Sequence, residues 1–576
     1  MLLQTEHISS PIKRQFLPHD LEIKIWSDVE KYFTELLNRP LNNKQELWQW
    51  MKDRSELESV LQEDLGWRYI KMSCDTADEV YKNSFNFFIA EIQPHIAPLS
   101  NSLDKKMMDS PFLSQLENKG LNIYLRQVKK RIEIYRDENV PLFAELQQKE
   151  QDYSAITGAM TIEIDGQELT LQQASNFLRE SDRGKREMVY RKISARRAAD
   201  RDTLDALFDE LVKIRHQVAL NAGFSNFRDF MFASLGRFDY TAEDCFAFHD
   251  SVANEVVSIC NEFDKGQKEL LDIDTLRPWD GEAEPAGRKP LHPFTGANEL
   301  VLRTVSCFSK LDPALGICIE ALDKSGHFDL ESRKGKAPGG YNYPLYESGL
   351  PFIFMNSTNT LRDLVTVVHE GGHAVHSIVT RNLELVDYKS LPSEVAELAS
   401  MSMELLSMEH WDEFFTDAEE LKRAKKHHLE KVLEALPWIA AVDAFQHWIY
   451  TNIGHTAEER RQAWREIYTR FSGNVVDWSG LEDVRDNLWQ RQLHIYEVPF
   501  YYIEYGMAQL GAIAVWRNFR NNKEAALKQY INALSLGYTA TINDIYKAAG
   551  IRFDFSQNYI RELSDFIKEQ VNNLTK

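Results

Sequence analysis

The stretch Asn359–Arg381, NTLRDLVTVVHEGGHAVHSIVTR, constrains this chain more than any other. Thr360, with Asp363 three residues on, reads as a helix start closed by a capping box, and Leu364, Val365, Val367, Val368, Val375, Ile378 and Val379 repeat at helical spacing. The spacing predicts one amphipathic helix. It carries His369 and His373 four residues apart, with Glu370 directly after the first. At 3.6 residues per turn such positions stack on one face, about 6 Å apart, so both imidazoles can reach one metal ion. Gly371 and Gly372 lie between them. Each glycine costs a helix interior about 1 kcal/mol against alanine, which suits a helix that another backbone or a substrate must approach closely.

HExxH is the pattern in which two histidines of one helix, with a third protein ligand, hold Zn²⁺ and leave a position open for water. The cation lowers the pKa of that water to about 7, and a glutamate beside the first ligand is placed to take its proton. Glu370 is that candidate. A five-residue pattern also arises by chance, so a third ligand matters. The segment Leu391–His410 offers Glu394, Glu397 and Glu404 on nearly one face, among Val395, Leu398, Leu405 and Leu406. Carboxylates there are costly to bury unless a positive charge neutralises them, as a zinc ion would. Spacing alone does not choose among the three.

At 576 residues the chain exceeds what one core accommodates, so two or more lobes are expected. A net charge of -21 argues against nucleic acid or an anionic membrane surface as the main partner. The five cysteines, Cys74, Cys245, Cys260, Cys307 and Cys318, are scattered and include no CxxC pair. That speaks for buried thiols rather than disulfides or a thiolate zinc site. No apolar run is long enough to span a bilayer, and MLLQTEHISSPIKRQF lacks a signal-peptide core, so a soluble cytoplasmic protein is expected.

Residues from about 20 to 150 read as a run of helices, beginning with Leu21, Ile25, Trp26, Val29, Phe33, Leu36 and Leu37. Thr76–Pro94 is thick with aromatics and is expected to pack as core. Ala159–Leu171 alternates apolar and polar residues around Asp165-Gly166, a hairpin with a tight turn. Helical periodicity then resumes, which puts a boundary near 180. The charge-rich stretches Arg179–Arg201 and Lys422–His428 read as solvated helix faces, and Leu276–Pro293 as a long loop. Strand-like pieces at Phe328–Leu330 and Pro351–Asn356 flank a loop with Pro338, Gly339, Gly340, Tyr341, Tyr343 and Tyr346. A small sheet beside the HExxH helix is implied, whose exposed edge an extended substrate can pair with through main-chain hydrogen bonds.

HEGGHAVHS followed by SEVAELASMSME resembles the thimet oligopeptidase and oligoendopeptidase F family of zinc metallopeptidases. The resemblance extends to NAGFSNFRDFMF (221–232), KAPGGY (336–341) and HIYEVPFYYIEYG (494–506), with a weaker echo at WRYIKMSCDTADEV (67–80). It implies a mainly helical fold, two lobes around a deep channel with a small sheet by the HExxH helix. The N-terminal lobe would take residues 1–180 and the catalytic domain residues 181–576. It also implies hydrolysis of internal bonds of short peptides with one Zn²⁺ per chain, held by His369, His373 and Glu397, the last lying in the stretch of the type AEVAS. Glu370 is then the base, and His494, Tyr502 and Tyr505 stabilise the oxyanion. Tyr501 and a mobile Gly339-Gly340 loop with Tyr341 at its tip would contact substrate. Relatives with three tyrosines carry one about seven residues before the last, where this chain has Val498, which leaves open which of Tyr501, Tyr502 and Tyr505 points inward. The rival readings are a zinc carboxypeptidase or dipeptidase on a related scaffold, and a peptide-binding protein without catalysis.

Overall fold

The computed structural model describes Ile8 and residues 13–333, 335–337 and 339–575. They are mainly helical, with a two-stranded and a three-stranded sheet. The helices that carry or abut the features above are α1 (Lys44–Cys74), α2 (Ala242–Glu255), α3 (Gly296–Leu311), α4 (Leu361–Thr380), α5 (Ser393–Ser407), α6 (Ala418–Thr451) and α7 (Tyr502–Asn521). The strands are β1 (Thr161–Ile164), β2 (Gln167–Thr170), β3 (Phe328–Glu331), β4 (Tyr341–Tyr343) and β5 (Phe352–Ser357). Among the described residues no helix is long and apolar enough to cross a membrane.

The chain divides into two compact units, each built from three separate stretches. The first takes in the described residues up to Tyr135, with His292–Leu421 and Gly511–Phe553; the second takes in Arg136–Leu291, Lys422–Leu510 and the described residues from Asp554. Helices remote in sequence therefore share cores. In the first unit Leu385 and Tyr388 join the cluster of Phe33, Trp50, Leu57, Met107 and Val128. The Tyr530 hydroxyl in turn donates to the Ala399 carbonyl, 2.7 Å away.

The β1–β2 hairpin forms in the expected register, Ile164 opposite Gln167, with Asp165 (φ 53°) and Gly166 (φ 77°) turning left-handed between them. Met160, Ile162 and Ile164 are buried on one face. The expected sheet is also present, in the order β3-β5-β4: β3 runs parallel to β5 and β4 antiparallel to it. Central β5 is buried from Phe352 to Met355 and leads into α4. Lys336 of the KAPGGY stretch ties this sheet together. Its ammonium donates to the carbonyls of Asp329 (2.9 Å), Glu331 (2.9 Å) and Met355 (2.5 Å) and lies 4.4 Å from the Phe354 ring centre.

Three expectations need correction. Thr76–Pro94 packs as core only at its end, where Phe88 and Ile92 are buried; Val80 is 72% exposed and Phe87 37%. The π turn Phe88–Ile92 resets the helix face, so the aromatics do not share one stripe. Arg179–Arg201 is not simply a solvated face: Arg186 is buried 2.8 Å from Asp280, a fully buried carboxylate inside the Leu276–Pro293 loop. Lys422–His428 is half-buried rather than simply solvated, with Ala424 and His428 buried.

Candidate active site

α4 begins as its sequence predicts. The Thr360 hydroxyl accepts from the Asp363 amide (3.4 Å), while the Asp363 carboxylate accepts from the amides of Thr358 (2.9 Å) and Thr360 (2.8 Å). Leu364, Val367, Val368, Val375 and Ile378 are buried. The tandem glycines explain what comes next. A Cβ on Gly372 would lie 2.7 Å from the Ser400 Cα and 2.8 Å from the Ala399 carbonyl oxygen, and one on Gly371 would lie 2.8 Å from the Phe308 ring of α3. The backbone expected to approach the helix is thus that of α5, and its approach delivers Glu397 to the histidines.

His369 Nε2 lies 3.4 Å and His373 Nε2 3.7 Å from Glu397 Oε2. One ligand atom from each residue falls within 4.8 Å of the others. Two imidazole nitrogens and one carboxylate oxygen are a donor set that suits zinc with a position left open. Of the three glutamates left open by spacing, Glu397 joins the histidines. Glu404 stands behind His369, its Oε1 2.6 Å from Nδ1, and Ser400 Oγ donates to Glu397 Oε2 at 3.0 Å. A carboxylate on Nδ1 fixes the ring so that Nε2 faces inward. Glu394 is buried on the same helix, with its carbonyl accepting from the Tyr546 hydroxyl.

The electrostatics set these groups apart from ordinary ones. Burial opposes charge on His369, but Glu397 and Glu404 outweigh it and hold its pKa well above the usual histidine range. Burial lowers His373 to about 4. Burial also acts to raise Glu397, yet His373, His369 and the Ser400 hydroxyl hold it at about 2. Glu370, next to these groups and buried, is pushed up to about 7, chiefly by loss of water. The Asn342 side chain of β4 donates to the Glu370 carbonyl at 3.3 Å.

Gly339 takes a left-handed φ of 97°, with its carbonyl accepting from the Asn356 side chain (2.9 Å), and Gly340 lies against β5, where a Cβ would meet the Phe354 carbonyl at 3.3 Å. Pro338 lies outside the described residues. Tyr341 is not at a loop tip: it pairs with Phe354 as the first residue of β4, its ring stacks 4.8 Å from that of Phe354, and its hydroxyl is 2.5 Å from Ser73 Oγ. Strand pairing holds it where the glycine-rich sequence suggested freedom.

The remaining candidates, His494, Tyr501, Tyr502 and Tyr505, cluster in the second unit. Ring centres of Tyr502, Tyr505 and Tyr501 lie 5.0, 5.7 and 5.9 Å from that of His494. The Tyr505 hydroxyl is 3.4 Å from His494 Nε2, and burial pushes Tyr502 up to about 12. Two residues absent from the sequence reading determine the imidazole's tautomer. Trp438 Nε1 donates to Gln492 Oε1 (2.9 Å), and Gln492 Nε2 lies 2.8 Å from His494 Nδ1. An indole N–H only donates, so the Gln492 carbonyl must face it and the amide N–H must face the imidazole. Nδ1 therefore accepts, and His494 carries its proton on Nε2. Arg215 secures the helical turn Leu493–Glu497 by donating to the carbonyls of Ile495 (3.3 Å) and Tyr496. No periodicity marks Gln492 or Trp438; only the fold brings them to His494.

A mainly helical fold in which an HExxH helix and a glutamate of α5 bring together three donors that could hold a metal ion points to a class of metallopeptidases. The chain belongs to peptidase family M3: that family's profile matches residues 176–290 and 314–565, and the profile of the peptidase M3 N-terminal domain matches 16–135. Among curated relatives, Oligopeptidase PepF of Bacillus subtilis is 29% identical over 39% of this chain and 33% of its own length. An Oligoendopeptidase F homolog of Borreliella burgdorferi is 22% identical over 67% of this chain. The alignments thus span a third and 65% of those two proteins. Among solved structures, one titled PZ peptidase A with inhibitor 2 is 29% identical with a TM-score of 0.90, over 97% of this chain and 99% of that one. The oligoendopeptidase-F of Enterococcus faecium shares the fold at 17% identity, with a TM-score of 0.63 over 96% and 97% of the two chains.

Proposed function

We propose that this chain is a zinc-dependent oligoendopeptidase acting on short peptides in the cytoplasm. The observation that carries the reading is the convergence of His369, His373 and Glu397 beside a buried Glu370 poised at about 7. Zinc held by those three residues would supply a Lewis acid that polarises a carbonyl and acidifies water. Glu370 takes the proton of the attacking water on its carboxylate and returns it to the leaving nitrogen; a carboxyl near neutrality suits both transfers. Glu404 holds His369 by its Nδ1–H throughout. Following the family resemblance, we assign His494 Nε2–H with the hydroxyls of Tyr502 and Tyr505 as donors to the carbonyl oxygen as it gains charge, each worth about 3 kcal/mol. Tyr501, Tyr341 and the Gly339-Gly340 stretch are assigned to substrate binding. In the described sheet β4 pairs only with β5, so its other edge can add a peptide strand through main-chain hydrogen bonds.

The test is cleavage of an internally quenched peptide blocked at both ends, which an exopeptidase leaves intact. Cleavage by the wild type, with turnover falling about 10²–10⁴-fold in Glu370→Gln while zinc content is kept, is the expected result. A blocked peptide that stays whole overturns the endopeptidase reading, and an undiminished Glu370→Gln variant removes the base.

A further inference from the structure

The second unit contains another group of metal-ligating side chains. Cys245 and His249 stand four residues apart on α2, in the run CFAFH; Asp443 and His447 stand four apart on α6, in DAFQH. Each pair lies on one helix face. The fold turns the two faces toward each other: ligand atoms of Cys245, Asp443 and His447 lie within 4.8 Å of one another, and all three residues are buried. His249 Nε2 is 2.8 Å and His447 Nε2 3.3 Å from Asp443 Oδ2.

Two features distinguish this from an ordinary buried ion pair. Asp443 is wholly buried and His447 is 4% exposed, yet Asp443 Oδ1 and His447 Nδ1 lack a hydrogen-bond partner. Buried polar atoms are nearly always satisfied, and each exception calls for a missing partner. That partner must take electron pairs from a carboxylate and an imidazole at once, beside a thiol. A cation does this and a hydrocarbon cannot. The apolar surroundings leave the inner groups little else, since the Phe246, Phe500 and Phe232 ring centres lie 4.8, 5.3 and 5.9 Å from that of His447.

We propose that Cys245, Asp443 and His447 bind a second divalent cation of the zinc class, with His249 holding Asp443 in place as a positioning residue. Sulfur, nitrogen and oxygen donors on buried residues suit a structural zinc site rather than magnesium or calcium. Ligand atoms about a tetrahedral zinc sit roughly 3.3–3.8 Å apart, so small side-chain rotations close the gap from the separations found. Binding takes the proton from the Cys245 thiol and releases it to solvent.

The site's place in the unit indicates its role. Gln446, between the two α6 ligands, accepts the Phe500 amide N–H at 2.7 Å. Phe500 is held at a φ of 67°, a left-handed conformation that strains a bulky residue, immediately before Tyr501 and Tyr502. Arg237 donates to the Phe500 carbonyl and, at 2.9 Å, to Glu504 Oε1. A cation on this turn of α6 would stiffen the anchor of that segment.

Cobalt separates the two sites, because only this one has a sulfur ligand. Metal-stripped, tag-free protein reloaded with Co²⁺ is expected to show a thiolate-to-cobalt charge-transfer band that Glu397→Ala keeps and Cys245→Ser loses. Elemental analysis of zinc-loaded protein is expected to find a second equivalent, lost in Cys245→Ser while the peptidase-site equivalent stays. Asp443→Asn, which keeps shape and removes charge, is expected to lose it too. A wild type without the band, a band that survives Cys245→Ser, or no zinc beyond that lost in Glu397→Ala overturns the proposal.

Discussion

At the residue scale, chemistry is set by what stands behind each functional group. Glu370 is pushed to about 7 by burial and by Glu397 against the pull of His369, from an ordinary 4.5. A base must be deprotonated to act, so kcat/KM rises with pH as Glu370 loses its proton. A cation beside it favours the carboxylate, which moves that acid limb below about 7. A pH–rate profile with the blocked peptide is expected to show an acid limb below about 7 that Glu370→Gln abolishes; a limb unchanged in the variant would take Glu370 out of the mechanism. His494 gives a sharper case, since its tautomer is inherited from Trp438 through Gln492. Gln492→Leu leaves Nδ1 without its donor and is expected to lower kcat about 10-fold with KM little changed. Gln492→Glu puts an acceptor on Nδ1, draws the proton there and strips Nε2, so the loss should approach that of an oxyanion donor, about 10²-fold. Equal kcat in both variants would show that the tautomer does not matter. Glu404 was legible as one of three glutamates on one face, but its orienting role was not, because face sharing says nothing of which ring nitrogen a carboxylate meets.

At the element scale, the active-site helix works by where it lets others approach. Gly372→Ala drives a methyl to 2.7 Å from the α5 backbone, which cannot swing aside as a side chain would. The expected cost is about 1–3 kcal/mol of stability together with lost metal affinity, because α5 carries Glu397. Gly266, in the helix Val257–Leu270, supplies the contrast: no atom lies within 4 Å of an added Cβ there. Gly266→Ala should stabilise by about 0.5–1 kcal/mol through helix propensity alone. Thermal denaturation of the two variants checks both signs, and a neutral Gly372→Ala would mean that α5 can retreat without cost. The capping box, the hairpin turn and the strand pieces could be read in advance because each is a contact among near neighbours. The misreading of Thr76–Pro94 has the same root: a π turn alters the face in a way that composition does not announce.

At the scale of the whole molecule, the proposed metal binding would be linked to stability. His369, His373, Glu397 and Glu404 crowd charge and buried polarity into one place, and a cation that binds only the folded chain stabilises it by about 4 kcal/mol at a thousandfold excess over Kd. Stripping the protein with a chelator should lower Tm, and titrating zinc back should restore it with concentration. Any part of that shift remaining in Glu397→Ala reports the Cys245 site, and an unchanged Tm in the wild type would show that neither site binds. The sequence by itself determined the helix with its two histidines and the glutamate between them, the hairpin, the small sheet and the peptidase family, because each rests on periodicity, turn chemistry or an unbroken motif. Spacing left Glu394, Glu397 and Glu404 open, and beyond the family resemblance only tertiary structure shows that Glu397 meets the histidines; it alone decided that Tyr341 is tied into a strand and that CFAFH and DAFQH face each other. Those outcomes depend on which helix faces which at atomic distance, and sequence spacing within one element cannot express a distance between two.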